Sequence, residues 1–407
     1  MDALNEHKQP LSLPVSILAV YLFLLPLSAG LAGFIGDISL QNYVAILFIF
    51  ISVLGFLHLK KIVVPNSIWL YGFWLYTVMS MFWTPSFQLS WYFTTFLLNV
   101  GVYICALSIN YNRREQLFLK RAVLLGLFPV ILATIFNIET AVNFRLIITV
   151  FSKMDPNDFG CGLVLIVALL FAMLLETDKK YPYVLLPVTA VIIILTGSRG
   201  AMIMFLTVFV TWLILSNVRK RFLIPFLLIA VFVAAFYAFY DYLPEFLRER
   251  LSFAVLAEDG GSGRLKIWQA ALSSFVDFSP AKMFIGSGYG SFQESVHYIA
   301  AGHYSTYESH NIWVNTLIET GLLGLTLLVM LFVNSFIIAK RRKNYWGILS
   351  LVGLAVGGAT LDMQAFRIFP LVFFVAISFD GKEDPHVEEL HRQSDDHYSG
   401  LQHEGLS

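Results

Sequence analysis

Long apolar stretches recur along this chain, and they limit what it can fold into. Of its 407 residues, 57% are hydrophobic and only 13% are charged, which is far from the composition of a water-soluble domain. A helix needs about 20 apolar residues to cross the hydrocarbon core, and an unbroken helix leaves no backbone polar group unpaired there. Because the stretches do not alternate with polar residues, they predict an all-α polytopic membrane protein.

Twelve stretches are apolar enough to be predicted as transmembrane helices. Their approximate limits are 13–34, 43–59, 68–82, 91–109, 122–137, 159–175, 181–196, 201–216, 222–240, 312–339, 345–361 and 368–379. The predicted organisation is therefore helices 1 to 9 in residues 1–240, one large polar loop in 241–310, and helices 10 to 12 in 311–379. Residues 380–407 are rich in His, Asp and Glu and predict a disordered tail.

The positions of Lys and Arg predict how the chain is oriented. The loops that begin near residues 60, 113, 179, 219 and 340 hold most of the basic residues, whereas the opposite short loops hold only Arg145, Lys153, Arg199 and Arg367. Basic residues near the ends of spans are retained on the cytoplasmic side. We therefore expect an inner-membrane protein with both termini in the cytoplasm, and with 138–158 and 241–310 on the outer face.

Composition narrows the chemistry further. The formal net charge is +0 and gives no indication of a nucleic-acid partner. The two cysteines, Cys105 and Cys161, lie in apolar stretches, where a thiol behaves as a small hydrophobic group. The sequence therefore predicts neither a disulfide framework nor a cysteine metal site.

Arginines on the predicted outer face run against the charge bias and require a reason. They are Arg145, Arg199, Arg248, Arg250, Arg264 and Arg367. A guanidinium stays charged and binds two phosphate oxygens at once, so several of them folded together would suit a phosphate or pyrophosphate. The alternative is that each arginine lies against lipid phosphates.

The segment 196–200, Thr-Gly-Ser-Arg-Gly, joins two apolar stretches with almost no room for a loop. Ser198 can cap the following helix, which would place Arg199 beside a helix N-terminus suited to an anion. The alternative is a tight turn in which the arginine only anchors the interface. Upstream, the sequence Asp155-Pro156-Asn157-Asp158 fits a helix cap better than a divalent metal site.

His310 lies where the large loop re-enters the membrane, and it is the candidate general base. A histidine can take a proton near neutral pH, and His297 and His303 are rivals located in the loop. Asn311, Asn315 and Glu319 recur every four residues on the next apolar helix. They are supporting polar residues at a cavity or, alternatively, groups that hydrogen bond between helices.

Two further motifs lie in the large loop. Residues 262–268, Ser-Gly-Arg-Leu-Lys-Ile-Trp, predict a helix capped by Ser262 that lies on the membrane surface. Residues 286–290, Gly-Ser-Gly-Tyr-Gly, predict a flexible turn rather than a phosphate loop, because no Lys-Ser/Thr follows and no strand precedes.

Taken in order, these motifs resemble the O-antigen ligase and polysaccharide polymerase superfamily. The resemblance extends from residue 145 to residue 324 and includes the segment 319–324, Glu-Thr-Gly-Leu-Leu-Gly. It implies a GT-C-like fold and an inverting glycosyltransferase that transfers a glycan from undecaprenyl pyrophosphate to a sugar hydroxyl without a metal or cofactor. It also implies that Arg199, Arg264 and Arg145 bind the pyrophosphate and that His310 activates the acceptor, although the glycine expected soon after Arg145 is missing.

The resemblance leaves two reactions open. A polymerase joins repeat units of O-antigen, capsule or exopolysaccharide, with a chain-length regulator as a candidate partner, whereas a ligase joins the glycan to lipid A core. We favour the polymerase, because the outer loop shows no basic surface for a phosphorylated core. A polysaccharide-lipid transporter or flippase is the alternative of another class, but neither internal repeats nor paired broken helices are evident in the sequence.

Overall fold

In a computed structural model, the structure describes residues 11–32, 38–59, 67–85, 89–143, 145–216, 248, 263–296, 299–300, 303–304, 309–361 and 366–381. These residues are predominantly helical. The principal helices are α1 (Leu13–Leu24), α2 (Leu40–Leu59), α3 (Gly72–Ser80), α4 (Leu89–Leu107), α5 (Arg113–Leu125), α6 (Leu127–Phe136), α7 (Ile138–Asn143), α8 (Pro156–Gly162), α9 (Val164–Glu176), α10 (Pro182–Leu195), α11 (Arg199–Leu215), α12 (Arg264–Val276), α13 (Pro280–Ile285), α14 (Phe292–Ser295), α15 (Ile312–Arg341), α16 (Tyr345–Gly357) and α17 (Ile368–Ser378). Two short strands, β1 (Ile299–Ala300) and β2 (His303–Tyr304), pair antiparallel between α14 and α15.

Within the described residues, three helical stretches are long and apolar enough to cross a membrane. They are Arg113–Phe136, Pro156–Glu176 and Ile312–Arg341, and seven other apolar helical stretches are shorter. The expected helical membrane protein is confirmed at this level. The count of about twelve spans stays a prediction, and the predicted span 222–240, like the tail 382–407, lies outside the described residues.

Two predicted spans differ from the helices that the structure contains. α5 begins at Arg113, well before the predicted start at residue 122, because Asn112 and Glu115 form a reciprocal capping box. The apolar stretch 68–82 is one short α-helix, α3, flanked by the 3-10 turns Ile68–Leu70 and Met81–Trp83. Apolar patterning indicated where these segments are, but the local caps and turns determine their ends.

The core of the molecule surrounds α16, which packs against α9, α11, α15 and α17. α9 and α17 are buried along nearly their whole length, whereas α15 leaves much of its surface exposed. Glycines allow the close approach of α16 to α11: a Cβ on Gly353 would lie 2.7 Å from the side chain of Val208. Small residues at such contacts are typical of helices that associate in membranes.

The glycine-rich segment 286–290 is packed into a break in α15, so the prediction of a flexible turn is wrong. At Gly321 the backbone has φ 65° and ψ −168°, and at Gly286 it has φ 79° and ψ −177°. This region of conformational space is open essentially only to glycine. A Cβ on either residue would lie 2.5 Å from the backbone nitrogen of the other, so the two glycines face each other.

The glycine-rich segment also compensates for the hydrogen bonds that the break removes from α15. The carbonyls of Ile318 and Glu319 accept from the backbone N–H groups of Ser287 (3.0 Å) and Gly288 (2.7 Å). A helix break at membrane depth is tolerated where neighbouring groups satisfy the freed backbone in this way. The apolar pattern of the sequence gives no sign of this break at Gly321.

Candidate functional site

The turn before α11 has the cap that the sequence predicted. Ser198 Oγ accepts from the backbone N–H of Ala201 (3.3 Å), and Gly197 has φ 60°. Arg199 is the first residue of α11 and is half-buried. The arginine is therefore fixed at the start of a helix by a turn that only a short, glycine-containing sequence can make.

Arg145 joins this turn to the segment before α8. Its Nε donates to the carbonyl of Thr196 (2.8 Å) and its Nη2 donates to Asn157 Oδ1 (2.9 Å). The side chain is buried, with 8% of the residue exposed. Arg145 thus lies against the same turn as Arg199, although the two are far apart in the sequence.

The segment 155–158 is a helix cap, as the sequence analysis favoured. Asp155 Oδ1 accepts from the backbone N–H of Asn157 (2.7 Å) and begins α8. α8 then packs on the start of α11, since a Cβ on Gly160 would lie 2.7 Å from the Cβ of Ala201. The cap therefore helps to position the Arg199 turn.

Arg264 reaches the same place from the large loop. It is the first residue of α12, and its Nη1 donates to the carbonyl of Thr360 (2.6 Å) in the turn after α16. Thr360 also packs against the residue that follows Arg199, because a Cβ on Gly200 would lie 2.5 Å from Thr360 Oγ1. Gly263 holds the N-cap position of α12 in the left-handed conformation, while Ser262, the predicted cap, lies outside the described residues.

His310 lies beside this turn as well. The residues that flank it are tied to the end of α16 and to α12: Ile312 N–H donates to the carbonyl of Gly358 (2.7 Å), and Trp268 Nε1 donates to the carbonyl of Ser309 (2.8 Å). His310 itself is half-buried and has φ 47°. A positive φ is uncommon outside glycine and is often found at functional sites.

Four candidate residues from four segments are thus connected through the turn 358–360. We call this region the outer junction, and it consists of Arg145, Arg199, Arg264, His310 and residues 358–360. A carboxylate lies near the junction as well. Asp158 and Arg264 are both close enough to the buried Cys161 thiol to interact with it. Within the junction, the contacts described above bring together the arginines and the histidine that the sequence selected.

The three supporting polar residues divide into different roles. Asn311 Oδ1 accepts from the backbone N–H groups of Trp313 (3.0 Å) and Val314 (3.2 Å), so Asn311 caps α15. Asn315 is buried one turn further along. Glu319 lies near the break in α15, where its Oε1 accepts from the backbone N–H of Phe292 (3.3 Å). This bond ties Glu319 to the segment that packs into the break.

Arg367, another arginine on the predicted outer face, has a different position. Arg367 Nη2 donates to Asn42 Oδ1 near the start of α2. Arg250 and His297 lie outside the described residues, and of His303 only the backbone in β2 is described.

Sequence reasoning missed the residues that connect the junction. Thr360 and Gly358 act through their backbone carbonyls, and a pattern of side chains does not predict which carbonyls accept such bonds. Trp268 was noted only as part of a motif, although its spacing of four residues from Arg264 places both side chains on one face of a helix. The Gly357-Gly358 pair at the end of an apolar stretch was the available signal for a turn.

Part of the chain resembles a known protein family. Residues 182–329 match the family model described as O-Antigen ligase, and the match confirms the resemblance predicted from the motifs. The matched segment contains Arg199, Arg264 and His310 and supports a role in membrane glycan ligation or polymerisation. No curated protein matches the chain.

Proposed function

We propose that this protein is an inverting glycosyltransferase that moves a glycan from undecaprenyl pyrophosphate to a sugar hydroxyl at the periplasmic face of the inner membrane. The observation that carries the proposal is the meeting of Arg199, Arg264 and His310 around the turn 358–360. These residues come from the matched family segment, and they combine anion-binding groups with a group that can accept a proton.

The arginines suit the leaving group. When the bond between the anomeric carbon and the pyrophosphate oxygen breaks, negative charge accumulates on the diphosphate. Guanidinium groups stabilise such charge through short, paired hydrogen bonds. Arg145 donates to the Thr196 carbonyl and to Asn157 Oδ1, and Arg264 donates to the Thr360 carbonyl, so these contacts fix the positions of both guanidinium groups.

His310 suits the acceptor. The attacking hydroxyl oxygen forms the new bond to the anomeric carbon from the side opposite the diphosphate, and its proton passes to the imidazole. A general base in this position typically contributes about 10²- to 10⁴-fold in rate. In this proposal Asn311 supports His310 by fixing the start of α15, while Asn315 and Glu319 support the helix itself.

The direct test uses the purified full-length protein with lipid-linked glycan extracted from cells that lack it. Transfer is followed by the appearance of the larger glycan and of undecaprenyl pyrophosphate. A glycosyltransferase changes glycosidic bonds in detergent, where no compartments exist. A transporter or flippase would instead move the lipid-linked glycan across sealed vesicles and leave its bonds unchanged, which would refute the proposal.

A polymerase remains the favoured reaction and a ligase is the second candidate. The sugar chains of a strain that lacks the gene distinguish them. Products with a single repeat unit indicate a lost polymerase, and a chain-length regulator would then be an expected partner. Long chains that are not attached to lipid A core indicate a lost ligase and would overturn the preference.

A further inference from the structure

Helix α12 is attached to the outer junction at two points. Arg264 Nη1 donates to the carbonyl of Thr360 (2.6 Å), and one turn later Trp268 Nε1 donates to the carbonyl of Ser309 (2.8 Å). Ile267 and Ala271 of the same helix belong to one buried apolar cluster with Ile318 of α15. One rigid helix therefore contacts both the turn after α16 and the residue before His310.

The backbone around His310 is held on both sides. His310 has φ 47°, a conformation that residues with side chains rarely adopt and that persists only where its neighbours enforce it. On one side, the Ser309 carbonyl accepts from Trp268, and Ser309 Oγ accepts from Asn311 N–H (3.2 Å). On the other side, Ile312 N–H donates to the Gly358 carbonyl (2.7 Å).

We propose that Trp268 is a positioning residue that fixes His310 relative to Arg264. The inference rests on the proposed role of His310 as the base. The indole has a single N–H donor, and in this protein it is used on the carbonyl of the residue directly before the base. Through this bond, α12 holds the proton acceptor and one pyrophosphate-binding arginine at a fixed separation.

The role concerns geometry rather than substrate binding. Reacting groups must be within a few tenths of an ångström of the productive arrangement, and a displacement of about 1 Å can lower a rate about a hundredfold. If Trp268 no longer holds Ser309, His310 loses its enforced backbone conformation, whereas Arg264 keeps its own bond to Thr360. The turnover number should then fall while donor binding is retained.

Trp268→Phe tests this, because it removes the N–H and keeps an aromatic ring. Trp346→Phe is the matched control: its Nε1 also donates to a backbone carbonyl, that of Leu165 (2.9 Å), but within the core between α9 and α16. With purified full-length protein and extracted lipid-linked glycan, we expect kcat of Trp268→Phe to fall about ten- to a hundredfold. Its KM for the donor should stay within about twofold, and kcat of Trp346→Phe should remain near that of the wild type.

The pH dependence separates positioning from a loss of folded enzyme. Loss of folded enzyme lowers the rate by the same factor at every pH, whereas a displaced His310 changes the acid limb of the rate profile. Trp268→His, which keeps a ring N–H donor, should recover part of the rate lost in Trp268→Phe. Equal kcat for Trp268→Phe and Trp346→Phe, an unchanged pH profile, or unfolding of both Trp268 variants would overturn the inference.

The proposed function can fail separately. If the wild type transfers no glycan, the glycosyltransferase proposal falls and the positioning role falls with it. If the wild type is active and Trp268→Phe behaves like the control, only the positioning role is wrong.

Discussion

Positive charges are held differently at the two ends of the helix bundle. At the outer junction, Arg145 and Arg264 donate to the carbonyls of Thr196 and Thr360. At the other end, Lys120 pairs with Glu176 (3.3 Å) and Arg342 pairs with Asp380 (3.4 Å). Backbone carbonyls thus orient the two arginines at the outer junction, whereas carboxylates pair with the two cations at the other end.

The proposed function gives the two ends different roles. Ion pairs between helices join α5 to α9, and the end of α15 to the segment after α17. A guanidinium stays charged and matches the geometry of a phosphate group. In the proposal, the outer junction therefore binds the ligand, and the opposite side attaches helix ends.

The largest effect is expected from His310→Ala. If His310 is the base, glycan transfer should fall about 10²- to 10⁴-fold, while the protein still inserts and migrates as a folded species. The rival histidines provide the control: His297→Ala and His303→Ala should retain transfer. If His310→Ala transfers glycan near the wild-type rate and either His297→Ala or His303→Ala loses transfer, His310 is not the base.

The arginine pair gives the most direct test of the comparison between the ends. Arg264→Ala should lower transfer about a hundredfold or more, as removal of one group that stabilises developing charge typically does, and Arg199→Ala should act similarly. Arg342→Ala, which removes an exposed ion pair, should leave transfer unchanged. Similar losses for Arg264→Ala and Arg342→Ala would show that the two ends do not differ in function.

The packed glycines predict a smaller effect, on stability. Gly286→Ala forces a side chain into a glycine-only conformation against the backbone of Gly321, which should cost at least about 2 kcal/mol. Gly55→Ala is the control, because a Cβ there meets nothing within 4 Å, and in a helix it should be neutral or stabilising by about 0.5–1 kcal/mol. Thermal unfolding in detergent measures both, and equal melting temperatures would contradict the packing.

The smallest effect is expected at the opposite end. Asp380→Asn removes the charge that pairs with Arg342, while the side chains of both residues are about half exposed. An exposed ion pair contributes about 0–1 kcal/mol, so the free energy of unfolding should fall by no more than this amount. The rate of glycan transfer should not change. A larger loss would mean that this end contributes more to the fold than its exposure suggests.

Local signals in the sequence predicted much of this protein. The apolar stretches, the bias of Lys and Arg, and caps such as Ser198 and Asp155 depend on neighbouring residues, so they could be interpreted in order along the chain. The order of short motifs was sufficient to indicate the family, which the match over 182–329 confirms. The same signals selected Arg199, Arg264 and His310 as candidates.

Only the tertiary structure decided how those candidates meet. The bond from Arg264 to the Thr360 carbonyl spans 96 residues, and Trp268 reaches Ser309 across 41. Backbone carbonyls carry no sequence signature, so no pattern could name these acceptors. The break at Gly321 could not be predicted from local sequence either. It depends on Gly286, which comes from another segment and occupies the space that a side chain on residue 321 would need.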